Sequence, residues 1–185
     1  MPWRVTFRCG APAGAGLVGV AAEVRLRAAG LASEGPLLIT HAGVSGPAVL
    51  RLSAWGARVL HDLGHRFDLE VAWCDGAETL LQARVRDHGK RIIAGDNPTP
   101  LPRRLWTALV RGAGLTDDLR WADLTRERSG ALVDALERTV LPITGQSPFK
   151  DEFVTCGGVA LGEIVFRTMA SRVCPGLHVV GEALD

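Results

Sequence analysis

The fold is decided by the stretch Val18-Gly19-Val20-Ala21-Ala22-Glu23-Val24-Arg25-Leu26-Arg27-Ala28. Apolar residues occupy every second position from Val18 to Ala28, and the positions between them include Glu23, Arg25 and Arg27. Because successive side chains of a strand point to opposite faces, this period of two predicts a strand with one buried and one charged face. Such strands favour an antiparallel sheet or barrel over a parallel sheet that is buried on both faces.

Two other stretches repeat the alternation, from Trp3 to Cys9 and from Phe67 to Trp73. Residues 10–16, which contain Gly and Pro, are predicted to form the turn between the first two strands. Residues 35–41 are predicted to be a short buried strand after a turn. Further strands are predicted after Pro142, at residues 143–145, 153–155, 163–166 and 177–180. We expect strands from residues 3–73 and 141–166 to join one sheet or barrel.

Helical spacing replaces the alternation in two places. A first helix is predicted to bury one face, and Ser45 is predicted to cap it, with Pro47 in its first turn. The residues of that face are Ala48, Leu52, Trp55 and Val59. Residues 76–140 are then predicted to be a mainly helical block. Its parts are a helix at 76–88, a Pro-rich connector at 96–102, a helix at 101–112, a helix start at 116–118, and a helix capped by Thr125 that carries Leu132, Val133, Leu136 and Val140.

The composition is that of an ordinary folded protein, with 47% hydrophobic and 22% charged residues among 185. The formal net charge of +1 predicts no nucleic acid and no anionic membrane as partner. Four cysteines without CxxC spacing predict reduced thiols and no metal site. No apolar run reaches the roughly 20 residues of a membrane helix. The cytoplasm is therefore the expected location.

Three motifs have both a structural and a chemical interpretation. Gly43-Val44-Ser45-Gly46-Pro47 begins like a hydrolase nucleophile elbow but ends in Pro, so a helix cap is favoured over a nucleophile or an anion site. His41 is interpreted as structural, with a general base or pH switch as the alternative. A basic stretch is interpreted as a solvated helical face, with RNA contact as the alternative. It comprises Arg84, Arg86, His88, Lys90, Arg91, Arg103 and Arg104.

The last predicted strand ends in a glycine followed by an acid, Gly181-Glu182. A glycine permits a ligand to approach the backbone closely, and a carboxylate after a strand can accept hydrogen bonds from sugar or ribityl hydroxyls. The same two residues also fit a plain turn. The pattern alone therefore leaves a ligand site and a turn open.

Three blocks, taken together and in order, resemble the HI0933-like (BaiN-type) family of NAD(P)/FAD-dependent oxidoreductases. Residues 37–50 resemble the family pattern LLFTHxGLSGPAIL, residues 154–172 resemble VTxGGV followed by E and TMESK, and residues 175–185 resemble PGLYFxGExLD. The resemblance runs from about Trp3 to the last residue. Ala170 and Arg172 stand where the family usually has Glu and Lys.

The residue patterns and the resemblance agree on an α+β fold: an antiparallel, barrel-like β-domain with an inserted small helical subdomain. The resemblance further implies that a remnant of an FAD-binding domain follows. The divisions are residues 1–75 with 141–152, residues 76–140, and residues 153–185. The resemblance implies a flavin-dependent oxidoreductase with FAD as cofactor and NAD(P)H as a further partner. The FAD contacts that it carries over are Gly157, Gly158, Gly181, Glu182 and Asp185. It implies no particular catalytic acid or base.

The chain also departs from the family. It lacks a GxGxxG that opens a helix, the arrangement that holds the pyrophosphate, because Gly14, Gly16 and Gly19 have this spacing but precede an alternating stretch typical of a strand. It also has no glycine-rich segment like DGxxGGYN after residue 185. We therefore expect a fragment of an FAD-dependent oxidoreductase that does not hold FAD on its own. The alternative is a non-enzymatic, partner-binding module derived from that family. The tail, residues 172–185, is expected to be poorly ordered or to associate with a second copy.

Overall fold

A computed structural model describes residues 6–9, 15–146 and 157–185, with the side chains of Ala15 and Glu182 excepted. The chain divides into two compact units, residues 1–150 and 151–185, and each is described by itself. The strand predicted at 153–155 lies outside the described residues, as do most of the turn predicted at 10–16 and the first residues of the strand predicted from Trp3. In the described part of the chain, no helix has the length and apolar character needed to span a membrane.

The N-terminal unit contains a closed antiparallel barrel, which confirms the predicted fold class. Around the barrel the strands follow the order β1-β4-β3-β2-β5-β6, and each neighbouring pair is antiparallel. Their bounds are β1 Phe7–Cys9, β2 Ala21–Ala28, β3 Leu31–Thr40, β4 Gly43–Ser45, β5 Phe67–Ala72 and β6 Thr139–Gln146. The barrel closes because β6, which comes after the helical insertion, pairs with both β5 and β1.

The β2–β3 hairpin is longer than the sequence predicted. Ala28 pairs with Leu31, and the two turn residues Ala29 and Gly30 have φ values of 49° and 78°, as a tight hairpin turn requires. The pairing then continues without a break through Gly35 and Pro36. The strand predicted at residues 35–41 therefore begins four residues earlier, at Leu31, because cross-strand pairing with β2 keeps residues 31–34 extended as well.

The interior of the barrel holds the apolar faces that the alternation predicted. Phe7, Leu26, Leu37 and Val71 are fully buried, and the rings of Phe7 and Phe67 meet edge to face with centroids 5.2 Å apart. Edge-to-face packing adds to the free energy gained from burying each ring. One hydrophobic core extends from the barrel into the helical insertion.

A tight corner joins β4 to the first helix. A Cβ atom at Gly43 would lie 2.0 Å from the Phe7 carbonyl oxygen, and one at Gly46 would lie 2.7 Å from the Pro36 carbonyl oxygen. The two glycines of the THAGVSGP block therefore allow this corner to pack directly on β1 and β3. Gly46 is the residue that precedes the helix, with Pro47 first in it, so the prediction of Ser45 as the cap was wrong because Ser45 ends β4.

The first helical segment consists of α1, Pro47–Trp55, and α2, Ala57–Asp62. Its buried residues are Ala48, Val49, Leu52 and Leu60. The prediction that Trp55 and Val59 share the buried face was wrong, since their side chains are 74% and 45% exposed. The buried face instead runs from Leu52 through Gly56 to Leu60, at a spacing of four.

The helical insertion contains α3, Ala77–His88, α4, Arg103–Gly112, and α5, Arg126–Glu137. Thr125 caps α5 as predicted, because its side-chain oxygen accepts a hydrogen bond from the Arg128 amide. The helix start predicted at residues 116–118 was wrong. Arg111 instead holds the Asp117 carboxylate through two hydrogen bonds of 2.8 and 2.7 Å, and this part of the chain forms turns.

The insertion ends two residues earlier than predicted. β6 begins at Thr139, so Val140 belongs to the barrel and not to the helix that precedes it. Val140 pairs with Glu70 of β5 and is 50% exposed. The outward position of an apolar residue explains why spacing alone assigned Val140 to the face of α5.

The C-terminal unit has little regular structure in its described part. β7, Ile164–Val165, pairs with β8, Ala170–Ser171, in a separate two-stranded sheet. The expectation that residues up to 166 join the barrel sheet was therefore wrong for this strand. At residues 177–180, where a strand was predicted, the structure has only an isolated bridge between His178 and Ala170.

Backbone hydrogen bonds connect the tail to its own unit. The Ser171 amide donates to the Leu177 carbonyl at 2.8 Å, and the Val179 amide donates to the Met169 carbonyl at 2.9 Å. The expectation of a poorly ordered or intermolecular tail stays a prediction. The sequence also predicts that Leu177, Val179 and Val180 lack burial partners. Side chains that are 48% and 65% exposed agree with this for Leu177 and Val180, but the prediction was wrong for Val179, which is 8% exposed.

Candidate functional site

The five residues that the family resemblance singled out lie in the C-terminal unit. Val159 and Leu184 form a parallel bridge, in which the Val159 amide donates to the Ala183 carbonyl at 2.9 Å and the Asp185 amide donates to the Val159 carbonyl at 3.1 Å. Two segments that are more than twenty residues apart in the chain, Gly157-Gly158 and Gly181–Asp185, therefore lie side by side.

The glycines of this pair of segments have different local roles. A Cβ atom at Gly158 would lie 2.5 Å from the Ala183 carbonyl oxygen. The position therefore requires glycine, because the backbone of the tail packs directly on it. Gly157 and Gly181 have φ values of 104° and 69°, and a Cβ atom at either would meet nothing within 4 Å. These two glycines border open space, where a ligand can approach the backbone.

These residues offer hydrogen-bonding groups of the kind that bind hydroxyl and amide groups of a ligand. An exposed backbone beside Gly157 and Gly181 gives amide and carbonyl groups for hydrogen bonds, and the carboxylate of Asp185 is of the type that accepts from hydroxyl groups. Glu182 follows Gly181 in a short 3-10 helix, Gly181–Ala183. The pyrophosphate would need a different site, because the GxGxxG spacing of Gly14, Gly16 and Gly19 is followed by strand β2 and not by a helix whose N-terminus could bind phosphate.

A first cleft of about 620 Å³ opens on the outside of the barrel in the N-terminal unit. Its ionisable lining is mixed, with Arg25 and Arg51 facing Glu23, Glu34 and Asp75. Arg25 and Asp75 form an ion pair. The cleft therefore has no strong preference for either sign of charge.

Cys74 lines the same cleft but is unsuited to nucleophilic chemistry. Burial, followed by the negative charges of Glu137 and Asp75, raises the pKa of the Cys74 thiol to about 11. Only the thiolate is a good nucleophile, so at neutral pH Cys74 is a protonated, unreactive thiol. Cys9, Cys74 and Cys174 are all free, in agreement with the predicted reduced cysteines for the described part of the chain.

A second cleft of about 550 Å³ lies between α4, α5 and β6. Its lining is mostly aliphatic, and an ion pair of 2.8 Å between Arg138 and Asp134 lies at its polar side. The lining includes Leu105, Ala108, Leu109, Ala131, Ala135 and Leu141. Sequence reasoning missed both clefts, because each is formed by elements far apart in the chain and no local pattern marks them.

Part of the predicted basic stretch surrounds one buried carboxylate. The Asp96 side chain is 11% exposed, and its oxygens lie 3.1 Å from Arg91 Nη1, 3.0 Å from His88 Nδ1 and 3.6 Å from Arg84 Nη1. The Trp121 indole also donates to Asp96 at 3.0 Å. Burial alone would raise the pKa of Asp96, but the hydrogen bonds and positive charge around it outweigh burial and lower its pKa.

This arrangement favours the structural interpretation of that stretch. The Asp96 cluster (Asp96 with Arg84, His88, Arg91 and Trp121) ties the end of α3 to the loops before α4 and α5. Arg86 is likewise engaged, with Asp87 at 2.8 Å. Among the described residues, no group of His, Cys, Asp and Glu side chains could hold a metal ion.

Two other residues that the sequence analysis considered have structural positions. Ser45, the serine of the elbow-like motif, is 5% exposed at the end of β4. His41 is exposed in the turn between β3 and β4. The structure therefore brings together the segments of the five FAD candidates and leaves Ser45 and His41 in other places of the fold.

Comparison with known proteins identifies relatives of this chain. Ribosomal RNA dihydrouridine synthase of Escherichia coli (strain K12) is 32% identical over 152 residues, 80% of this chain and 36% of that protein. The protein of the same name from Haemophilus influenzae is 30% identical over 149 residues, 80% of this chain and 36% of that protein. The 3-dehydro-bile acid delta(4,6)-reductase of Clostridium scindens is 28% identical over 164 residues, 82% of this chain and 38% of that protein.

The chain thus spans somewhat more than a third of the length of these relatives. The family model described as "HI0933-like protein barrel and H2TH domain" matches residues 5–154. That range includes the whole closed barrel and the helical insertion. The chain belongs to the HI0933-like family, and residues 5–154 are its barrel and H2TH domain.

Proposed function

We propose that this chain is part of a flavin-dependent reductase that adds hydrogen to a carbon–carbon double bond. The names of the relatives support this reaction class. Making dihydrouridine from uridine adds two hydrogens across a double bond of the base, and a delta(4,6)-reductase acts on carbon–carbon double bonds of its substrate. FAD, when bound, would supply hydride transfer of this kind.

The observation that carries the proposal is the contact between Val159 and Leu184. It aligns Gly157-Gly158 with the segment Gly181–Asp185, and open space borders the backbone at Gly157 and Gly181. In the proposed site, Gly157 and Gly181 leave room for the flavin side of FAD. Glu182 and Asp185 accept hydrogen bonds from its ribityl hydroxyls, and Gly158 keeps the two segments in contact.

The proposal assigns part of the FAD site to this chain and no proton donor. Because the GxGxxG spacing at Gly14–Gly19 leads into strand β2 and not into a helix, we expect weak binding of FAD by the chain alone. NAD(P)H is the proposed source of electrons, and the cytoplasm the proposed location. Self-association through the exposed apolar residues of the tail remains a prediction.

A titration that compares FAD with riboflavin tests the site directly. Riboflavin lacks the pyrophosphate and adenosine, so a site that binds only the flavin side should bind both molecules with similar affinity. We expect both dissociation constants to exceed about 1 μM, which corresponds to about −8 kcal/mol. The measurement is flavin fluorescence quenching at increasing protein concentration.

Matched variants identify the residues responsible. The double variant Glu182→Gln with Asp185→Asn should weaken both ligands, whereas Glu163→Gln, an acid of the same unit outside the site, should leave them unchanged. Binding of FAD below 1 μM and far tighter than riboflavin would contradict a partial site. If neither flavin binds even at the highest protein concentration of the titration, the alternative is favoured. That alternative is a non-enzymatic, partner-binding module with the HI0933-like fold.

The substrate class is a separate question. Two of the relatives are named for ribosomal RNA, and we propose RNA as the first substrate class to test. The net charge of +1 predicts no general attraction to nucleic acid. An RNA site on this protein would therefore have to be a local surface. Cationic side chains of that surface would contact the phosphates of the RNA, and other side chains would contact its exposed bases.

A further inference from the structure

An apolar stripe lies on the solvent side of the α1–α2 segment. Trp55, Val59 and Leu63 follow one another at a spacing of four and are 74%, 45% and 45% exposed. Residues four apart lie on the same face of a helix. The other described tryptophans, Trp73, Trp106 and Trp121, are at most 2% exposed. Trp55 is therefore the described indole that presents a large surface to solvent.

The stripe stands on a rigid support. The Gly56 amide donates to the Leu52 carbonyl at 2.9 Å and the Leu60 amide donates to the Gly56 carbonyl at 2.8 Å, so helical hydrogen bonding continues from α1 into α2. A Cβ atom at Gly56 would lie 2.4 Å from Leu31 Cδ1. The opposite face of the helix is thus held close against the β2–β3 hairpin, and Trp55 is carried on a fixed backbone.

Positive charge accompanies the stripe. Residues 51–66 contain Arg51, Arg58 and Arg66 against one acid, Asp62, so their formal charge is +3 − 1 = +2 with histidines neutral. Arg58 follows Trp55 by three residues, which places it next to the indole on the helix surface, whereas the Arg51 guanidinium lies over Gly35 of β3 in the first cleft. The whole-chain charge of +1 conceals this local excess.

We propose that the outer face of α1–α2 binds single-stranded RNA, with Trp55 as a platform on which a base stacks. Surfaces that bind single strands combine aromatic side chains, on which bases stack, with cations that follow the phosphates. This inference deepens the proposed function, on which it rests for the choice of RNA as substrate. It concerns RNA capture and assigns no residue to the reduction itself.

The composition of the face favours RNA over a protein partner. A stable protein interface buries more than about 1,000 Å² and has an apolar centre of several anchors. Here three apolar side chains form a single row, and exposed arginines flank it. A row of this width suits one or two bases, and the arginines suit the adjoining phosphates.

Anisotropy of a labelled, short single-stranded oligouridine measures the affinity of the intact chain. We expect Trp55→Ala to weaken binding by about ten-fold, which is the order expected for the loss of one stacked base. The matched control is Phe166→Ala, which also removes an exposed aromatic ring (59% exposed) but lies in the C-terminal unit, and it should leave the affinity unchanged. Intrinsic tryptophan fluorescence should be quenched by the oligonucleotide in the unaltered chain and not in Trp55→Ala.

The charge contribution is measured by the salt dependence of the same binding. Each phosphate contact on a single strand contributes roughly 0.7 to the slope of log K against log salt concentration. The double variant Arg58→Gln with Arg66→Gln, both exposed, should lower the slope by about 1.4. The control pair Arg126→Gln with Arg128→Gln, exposed arginines of α5, should not change it.

Two results would overturn the proposal. One is equal oligouridine affinity in Trp55→Ala and the unaltered chain. The other is a dimer in sedimentation that Trp55→Ala dissociates, since the stripe would then bind a second copy. Either result leaves the flavin titration unaffected, because Trp55 and the proposed flavin contacts belong to different units. Failure of RNA capture and failure of the flavin proposal are therefore distinguishable.

Discussion

The two units of this protein bury their apolar residues very differently. In the N-terminal unit, one core runs from Phe7 in β1 to Ile143 in β6 and includes the helical insertion. In the described part of the C-terminal unit, the buried apolar residues are Ile164 and Val179, and Phe166 and Val173 are 59% and 70% exposed. The N-terminal unit therefore has the core of an independent domain, whereas residues 157–185 of the C-terminal unit do not form one.

This difference indicates which unit provides most of the stability and which unit gains stability from a ligand. The free energy of folding comes largely from burial of apolar surface, so most of the stability should belong to the barrel and its insertion. The C-terminal unit is held mainly by backbone hydrogen bonds such as those of Val159 and Val179. A segment of that kind gains stability when a ligand binds to it.

The largest expected effect is that of removing a core aromatic ring. Trp106 is fully buried, and its indole donates to the Ile93 carbonyl at 2.9 Å. Trp106→Ala should lower the free energy of unfolding by about 4 kcal/mol, because it leaves a cavity and an unpaired carbonyl. Phe166→Ala in the C-terminal unit should change it by less than about 0.5 kcal/mol. Urea unfolding followed by circular dichroism makes the comparison, and similar losses in both variants would contradict it.

A smaller loss is expected at the β4–α1 corner. Gly43 has a φ of 145°, and the Cβ atom of Gly43→Ala would collide with the Phe7 carbonyl. We expect a cost of about 3 kcal/mol from backbone strain and the displaced strand. Gly130→Ala, in the interior of α5 with open space around its Cα, should instead stabilise by about 0.5–1 kcal/mol. Thermal unfolding of the two alanine variants would show opposite signs, and equal signs would exclude this account of the corner.

The Asp96 cluster should give a loss of about 2 kcal/mol that depends on pH. Asp96→Asn removes the charge that Arg91 and His88 hydrogen-bond, and a hydrogen bond to a charged group is worth about 1.5–3 kcal/mol. The pKa of Asp96 is lower in the folded chain than in the unfolded one. Its stabilisation is therefore present above the unfolded pKa and is lost as pH falls through the folded pKa.

The measurement is urea unfolding of both chains at neutral pH and at acid pH. The difference between the unaltered chain and Asp96→Asn should shrink as the solution becomes acidic. A difference that stays constant down to pH values below the folded pKa would show that the charge of Asp96 is not what stabilises the cluster.

The sequence predicted the parts of the fold that repeat a pattern and missed those that depend on distant neighbours. The alternation at Phe67–Trp73 located β5, whereas β4, in which Gly43, Val44 and Ser45 are all buried, has no alternation to detect. Trp55 was assigned to the buried face because the prediction used only the spacing of apolar residues along the helix. That spacing does not show that Gly56 is the residue that packs closely on Leu31.

The candidate site shows the same limit. Gly181-Glu182 by itself fitted a turn as well as a ligand site, and only the family resemblance joined it to Gly157-Gly158. The contact between Val159 and Leu184 is a parallel bridge between residues far apart in the chain, so no local pattern encodes it. The Asp96 cluster likewise depends on a loop that returns to the end of α3 and on Trp121 from another segment.

Hydrogen exchange of the backbone amides, measured with and without saturating FAD, tests the division between the two units most directly. The amides of Leu26 and Leu69 in the barrel should exchange slowly in both samples, through global unfolding. The amides of Val159 and Asp185 should exchange much faster without FAD and should become protected when it is added. Equal protection of the two units without ligand, or FAD protection that appears in the barrel and not in residues 157–185, would contradict the account.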